Sequence, residues 1–152
     1  LEAVAGSLLW GVVSAASAML ALRMKGWTGL DAVERPTILF FFGGLIAFAP
    51  ALFLARLFSR SRPEPAFAAA FVALTSMTIG VTGVLNGLVF RDYFSTWHAP
   101  VTTKLGANEF VFTVASGVYQ FLVLGVRLFL PLGLPALLIA ALLIARQASR
   151  RA

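Results

Sequence analysis

Between Glu109 and Arg146 the chain carries a single charge, Arg127, with the apolar runs Phe110–Val126 and Leu128–Ala145 on either side. The hydrocarbon core of a bilayer is about 30 Å thick, and a helix crossing it uses roughly 17–25 residues. As one helix, Glu109–Arg146 would be about 57 Å long at 1.5 Å per residue, well beyond one crossing. As two, each run matches one crossing and Arg127 moves from mid-membrane to an interface. A mid-bilayer arginine costs at least about 2.5–3.5 kcal/mol. Two crossings are therefore expected, with a turn supplied by Pro131, Gly133 and Pro135.

The rest of the chain agrees with a membrane setting. Sixty per cent of residues are hydrophobic and only 12% are charged, whereas a soluble domain carries about 25% charged residues. The apolar residues form blocks bounded by charges and do not alternate, so they describe helices and not barrel strands. The expected fold is all-α: a single polytopic membrane helix bundle of four to five transmembrane helices over 1–152, without a soluble domain. The candidate spans are 3–22, 37–55, 66–90, 110–126 and 128–145.

Several function classes are disfavoured by what the composition holds. The net charge of +6 comes mainly from arginines in loops and at helix ends, where they set topology and anchor the interface. Nucleic acid is not an expected partner, because binding it needs a basic water-facing surface. Membrane lipids are expected partners, and Arg146, Arg150 and Arg151 suit anionic headgroups. The absence of cysteine removes disulfide, thiolate-metal and iron–sulfur chemistry. No basic region precedes the first apolar run, so no cleavable signal peptide is expected.

Small and polar residues mark the helix faces. In the first span Ser7, Gly11, Ser14 and Ala18 recur at helical spacing and suit close packing, with Trp10 and Met19 off that stripe. Trp27, in the loop Arg23–Arg35, suits headgroup depth. Pro36 suits the first turn of the second helix, and Pro50 should bend it. In the third span Thr75, Thr78, Thr82 and Asn86 share a face, with Gly83 and Gly87 beside it. The fourth helix, with Asn108 as its N-cap, carries Glu109, Thr113, Ser116, Gln120 and Arg127 along one side. An unpaired polar group in hydrocarbon costs several kcal/mol. The two stripes are therefore expected to face each other: Asn86 near Thr113, Thr82 near Ser116, Thr78 near Gln120. Each bond would contribute about 0.6–2 kcal/mol.

Groups able to do chemistry are scarce. His98 is the sole histidine, in a loop with Asp92, Tyr93 and Trp97. Together these could meet a quinone headgroup or a metal with a partner's help, but Tyr and Trp are what an interfacial belt recruits. The acids Glu2, Asp31, Glu34, Glu64, Asp92 and Glu109 all fall at span ends or in loops, which argues against proton-coupled transport. Arg127 is expected as an interface anchor. No cofactor, metal site or catalytic set is expected, and the chain is not expected to be an enzyme.

The expected function follows by subtraction: a non-catalytic accessory or structural subunit of a larger membrane complex, packing through its small-residue and hydroxyl/amide faces. The alternative is a small homo-oligomeric transporter or channel with a polar path along Thr75, Thr78, Thr82 and Asn86. With five spans, eight basic residues lie on one side against four on the other, which puts the C-terminus in the cytoplasm. The Arg and Ala bias points to a bacterial inner membrane.

Overall fold

The first helix, α1 (Glu2–Met24), stops where the sequence reads Lys25-Gly26-Trp27. Gly26 adopts φ +79°, a left-handed conformation that is open to a residue without Cβ. Its N–H then donates to the Arg23 carbonyl (2.9 Å) and the Trp27 N–H to the Leu22 carbonyl (3.1 Å), which ties off the helix end. The computed structural model describes residues 2–58 and 63–151, with side chains for 3–58 and 64–147. Among these residues the regular structure is entirely helical, and four helices are long and apolar enough to cross a membrane.

The second helix, α2 (Leu30–Phe58), opens earlier than expected. The Val33 N–H already donates to the Gly29 carbonyl (3.2 Å), so Asp31–Arg35 is helix and not loop. Pro36 consequently lies beyond the first turn, and the helix continues through both Pro36 and Pro50. The third, α3 (Pro63–Phe94), ends in a 3-10 turn, Ser95–Trp97. The fourth, α4 (Lys104–Gln120), is capped by Thr103, whose hydroxyl accepts from the Gly106 N–H at 3.0 Å. Asn108, the expected cap, lies inside the helix and is exposed.

The largest departure comes next. No reversal separates Phe110–Val126 from Leu128–Ala145. A π-turn (Phe121–Gly125) and a 3-10 turn (Val126–Phe129) join α4 directly to α5 (Leu130–Arg151). Lys104–Gln147 is thus one interrupted span of 44 residues, and the chain has four candidate crossings, not five. It runs antiparallel to α3 along its length: Gly117 meets Gly87, Leu137 meets Leu74, and Ala141 meets Ala70. Proline and glycine broke the helix's regularity without turning the chain round.

Small residues set how closely the helices approach, as they must where lipid supplies no hydrophobic drive. Gly43 and Gly44 are neighbours in α2 and point about 100° apart around the helix. A Cβ at Gly44 would lie 2.9 Å from the Trp10 carbonyl oxygen in α1, and one at Gly43 would overlap Thr82 of α3. The pair therefore seats α2 between α1 and α3. In the half of the bundle nearer Phe58, Ala55, Ala70, Ala73 and Ala141 form one cluster across α2, α3 and α5. Beside it Trp10, Ala51, Leu74 and Leu137 make the central core. Trp10 is 4% exposed, so it belongs to the packing face of α1 and not to its outside.

Candidate functional site

The interruption in the fourth span is held by a side chain from α1. The Ser17 hydroxyl donates toward the Leu128 and Phe129 carbonyls (3.1 and 2.9 Å) and accepts from the Leu132 and Gly133 N–H groups (3.1 and 3.2 Å). In an uninterrupted α-helix those N–H groups would bond those carbonyls directly. Pro131 has no N–H to offer, and the winding changes from π to 3-10 just before it. One buried hydroxyl therefore bonds four backbone groups at the point where the winding changes. Sequence reasoning missed Ser17. Its signal was available as spacing, since Trp10, Ser14, Ser17 and Ala21 recur at steps of three and four, and all are buried.

The third-helix stripe does not meet the fourth-helix stripe. Thr75 donates to its own helix at the Phe71 carbonyl (2.7 Å). Thr78 faces α1 and accepts from the Trp10 indole N–H (3.0 Å). Thr82 lies against Gly43 of α2, and its buried hydroxyl has no hydrogen-bond partner among the described residues. Only Asn86 reaches α4, where its amide donates to the Gly117 carbonyl (2.8 Å). These four side chains turn to different surroundings and do not line one passage.

On α4, Thr113 bonds its own helix at the Glu109 carbonyl (2.6 Å), while Ser116 and Gln120 are exposed. The expected pairs Asn86–Thr113, Thr82–Ser116 and Thr78–Gln120 are therefore corrected. The antiparallel order was right, but the rotation was set by glycine. A Cβ at Gly117 would lie 2.8 Å from the Gly87 Cα, and one at Gly87 would lie 2.7 Å from the Val114 carbonyl oxygen. Backbone contact claims this face of α4 and turns its polar side away. Gly83 packs under the Phe121 ring.

Where α4 leaves the bundle a cleft opens. Its floor is α3 (Leu85, Asn86, Val89), and its walls are α2 (Arg35 to Ile46) and the fourth span (Gln120 to Leu128). Its volume is about 760 Å³, and the lining is apolar except for Arg35, Asn86 and Gln120. Phe40 and Phe121, with ring centroids 5.8 Å apart, close it toward α1.

The connection from α3 to α4 is a small aromatic cap. Tyr93 and Trp97 are exposed with centroids 5.8 Å apart, and Phe94 stacks on His98 at 6.3 Å. Arg91 lies 5.3 Å from the Phe110 ring centroid. The Ala99 N–H donates to Glu109 (2.8 Å), which fastens the loop to α4. Asp92 and Tyr93 stand on the last turn of α3, and Asp92 is exposed. Among the described residues no three metal-ligating side chains gather, so Asp92 and His98 do not form a binding set by themselves.

Arg127 sits in the 3-10 turn, exposed, near the centre of Lys104–Gln147 and not at its end. Its neighbours in sequence, Val126 and Leu128, pack against the cluster of Ala18, Phe40 and Phe121, which also touches Ile79 at the middle of α3. Joining the two apolar runs into one span thus puts this cation in the interior of that span, and not at the end expected for it. Among the described residues Arg127 has no ion-pair partner. Comparison of the chain with protein-family models, curated proteins and solved structures finds no match, so the site's own chemistry carries the functional reading.

Proposed function

We propose that the chain is a non-catalytic accessory or structural subunit of a larger membrane complex, whose exposed fourth span docks a partner's transmembrane helix. The observation that carries this reading is Arg127. An arginine at the centre of a crossing costs about 2.5–3.5 kcal/mol on insertion scales unless it is paired or reaches water. Among the described residues its own chain offers no carboxylate in ion-pair reach. An aspartate or glutamate on a partner helix at the same depth supplies the missing charge. Ser116, exposed on the same span, adds a hydroxyl that a partner amide or carbonyl can bond.

With four crossings both ends of the bundle lie on one side. That side carries Arg56, Arg60, Arg62, Arg146, Arg150 and Arg151, against Arg23, Lys25, Arg35, Arg91 and Lys104 on the other. The positive-inside rule then favours a C-terminus in the cytoplasm, by a narrower margin than five spans gave, and the Arg and Ala bias is what supports a bacterial inner membrane.

The test is purification in mild detergent of the intact chain and of Arg127→Leu and Arg127→Lys. Wild type should co-purify stoichiometrically with a membrane chain that has a carboxylate inside a span. Arg127→Leu should insert normally and lose that chain, and Arg127→Lys should keep part of it. Wild type running alone, or Arg127→Leu retaining its partner, overturns the proposal.

A further inference from the structure

We infer that the cleft between α2 and α4 is a binding site for one anionic phospholipid, with its phosphate on Arg35 and an acyl chain lying along the apolar walls. This inference is independent of the partner proposed for Arg127.

The length of the cleft selects the occupant. Along α2 it runs from Arg35 to Ile46, about 16 Å at 1.5 Å per residue. Half of a hydrocarbon core of about 30 Å is about 15 Å. The cleft therefore spans one leaflet. It stops at Ile46 because farther along α2 the side facing α3 closes through Ala55, Ala70, Ala73 and Ala141, and the groove beyond, lined by Phe48, Leu52 and Arg56, opens toward α1 and α5 instead. A partner helix crosses both leaflets and would need an open groove along the whole span. A lipid chain occupies one leaflet and fits the space as it stands.

The polar groups fall where a phospholipid has its own. Arg35 is exposed at the outer end of the cleft, at headgroup depth. Asp31 and Glu34 stand on the same helix, both exposed, and neither forms an ion pair with it. The guanidinium offers a fork of donors that matches a phosphate. Inward from it, Gln120 lines the cleft with an amide that has no hydrogen bond among the described residues. A glycerol ester carbonyl lies just inside the headgroup and accepts such a bond. Deeper still the walls are Phe42, Ile46, Leu124 and Leu128, with no polar side chain to oppose a hydrocarbon tail.

The experiment uses the full chain in detergent micelles containing equal amounts of phosphatidylglycerol and phosphatidylcholine with identical acyl chains, read by native mass spectrometry. Wild type should retain one phosphatidylglycerol in preference to phosphatidylcholine by about fivefold, the value of one cation at an anionic surface. Arg35→Leu should bind both lipids equally. Val89→Trp, which fills the cleft from its α3 floor at an exposed position, should bind neither tightly while keeping the helical circular dichroism of wild type. Arg146→Leu, at the far end of the bundle, should behave as wild type. Equal retention of the two lipids by wild type, an unchanged preference in Arg35→Leu, or displacement of the lipid by inorganic phosphate each overturns the inference. So does a lipid-free dimer of the chain.

Discussion

The two halves of the fourth span live in different surroundings. The α5 half packs one face against α1 and α3 and meets α2 in an alanine cluster in which Ala55, Ala70 and Ala141 are fully buried, while Ile139, Leu142 and Leu143 on its other face are exposed. The α4 half rests on α3 alone, through Gly87 and Gly117, and leaves Val111, Phe112, Ser116 and Tyr119 exposed. The contrast teaches how the bundle is divided. Alanine packing secures the end near Phe58, and glycine contact with a single helix holds the α4 end.

The comparison breaks most readily at alanine. Ala141→Phe forces a ring into a filled site and should destabilise the bundle by about 3 kcal/mol, whereas Ala115→Phe, exposed on α4, should stay within about 0.5 kcal/mol of wild type. Thermal unfolding of both variants in one detergent checks the pair, and equal losses would erase the distinction between the halves. Ser17→Ala should cost about 1 kcal/mol by removing the hydroxyl that bonds four backbone groups of the interruption. Faster amide exchange at Leu132 and Gly133, with α4 unchanged, is the accompanying signature.

Smaller effects sharpen the picture on the α4 side. Asn86→Leu removes a side-chain bond between α3 and α4 and should cost about 1 kcal/mol, measured by the same unfolding. A null result would mean that glycine contact alone holds α4. Thr75→Val and Thr113→Val should change stability by less than about 0.5 kcal/mol, because each hydroxyl bonds only its own helix. A loss well above that in either variant would reinstate the idea of polar stripes bonding across helices.

Composition and blocked hydropathy were enough to read an all-helical membrane bundle, and the small-residue face of α1 was legible in Gly11, Ser14 and Ala18, which are buried. The rotation of the helices was not. A threonine in a helix can satisfy its hydroxyl at the carbonyl four residues back, so a periodic polar stripe does not reveal what it faces. Within the expected four to five spans, the preference for five failed for a related reason. Pro131, Gly133 and Pro135 were read as a turn because the sequence could not show that Ser17, more than a hundred residues earlier, would bond the backbone there. Arg35 was placed in a loop by the wrong start of α2, which hid its position at the mouth of the cleft. The expected role of Arg127 depended on the span count and changed with it.

A π-turn followed at once by a 3-10 turn winds the backbone first loosely and then tightly, so the helical clock does not keep time across residues 121–129. Side chains spaced by seven on opposite sides of that segment need not look in the same direction. A spin-label scan from Lys104 to Gln147 should record two sinusoids of lipid contact with a step in phase between them, and a helix wheel drawn straight through would assign the wrong residues to the membrane.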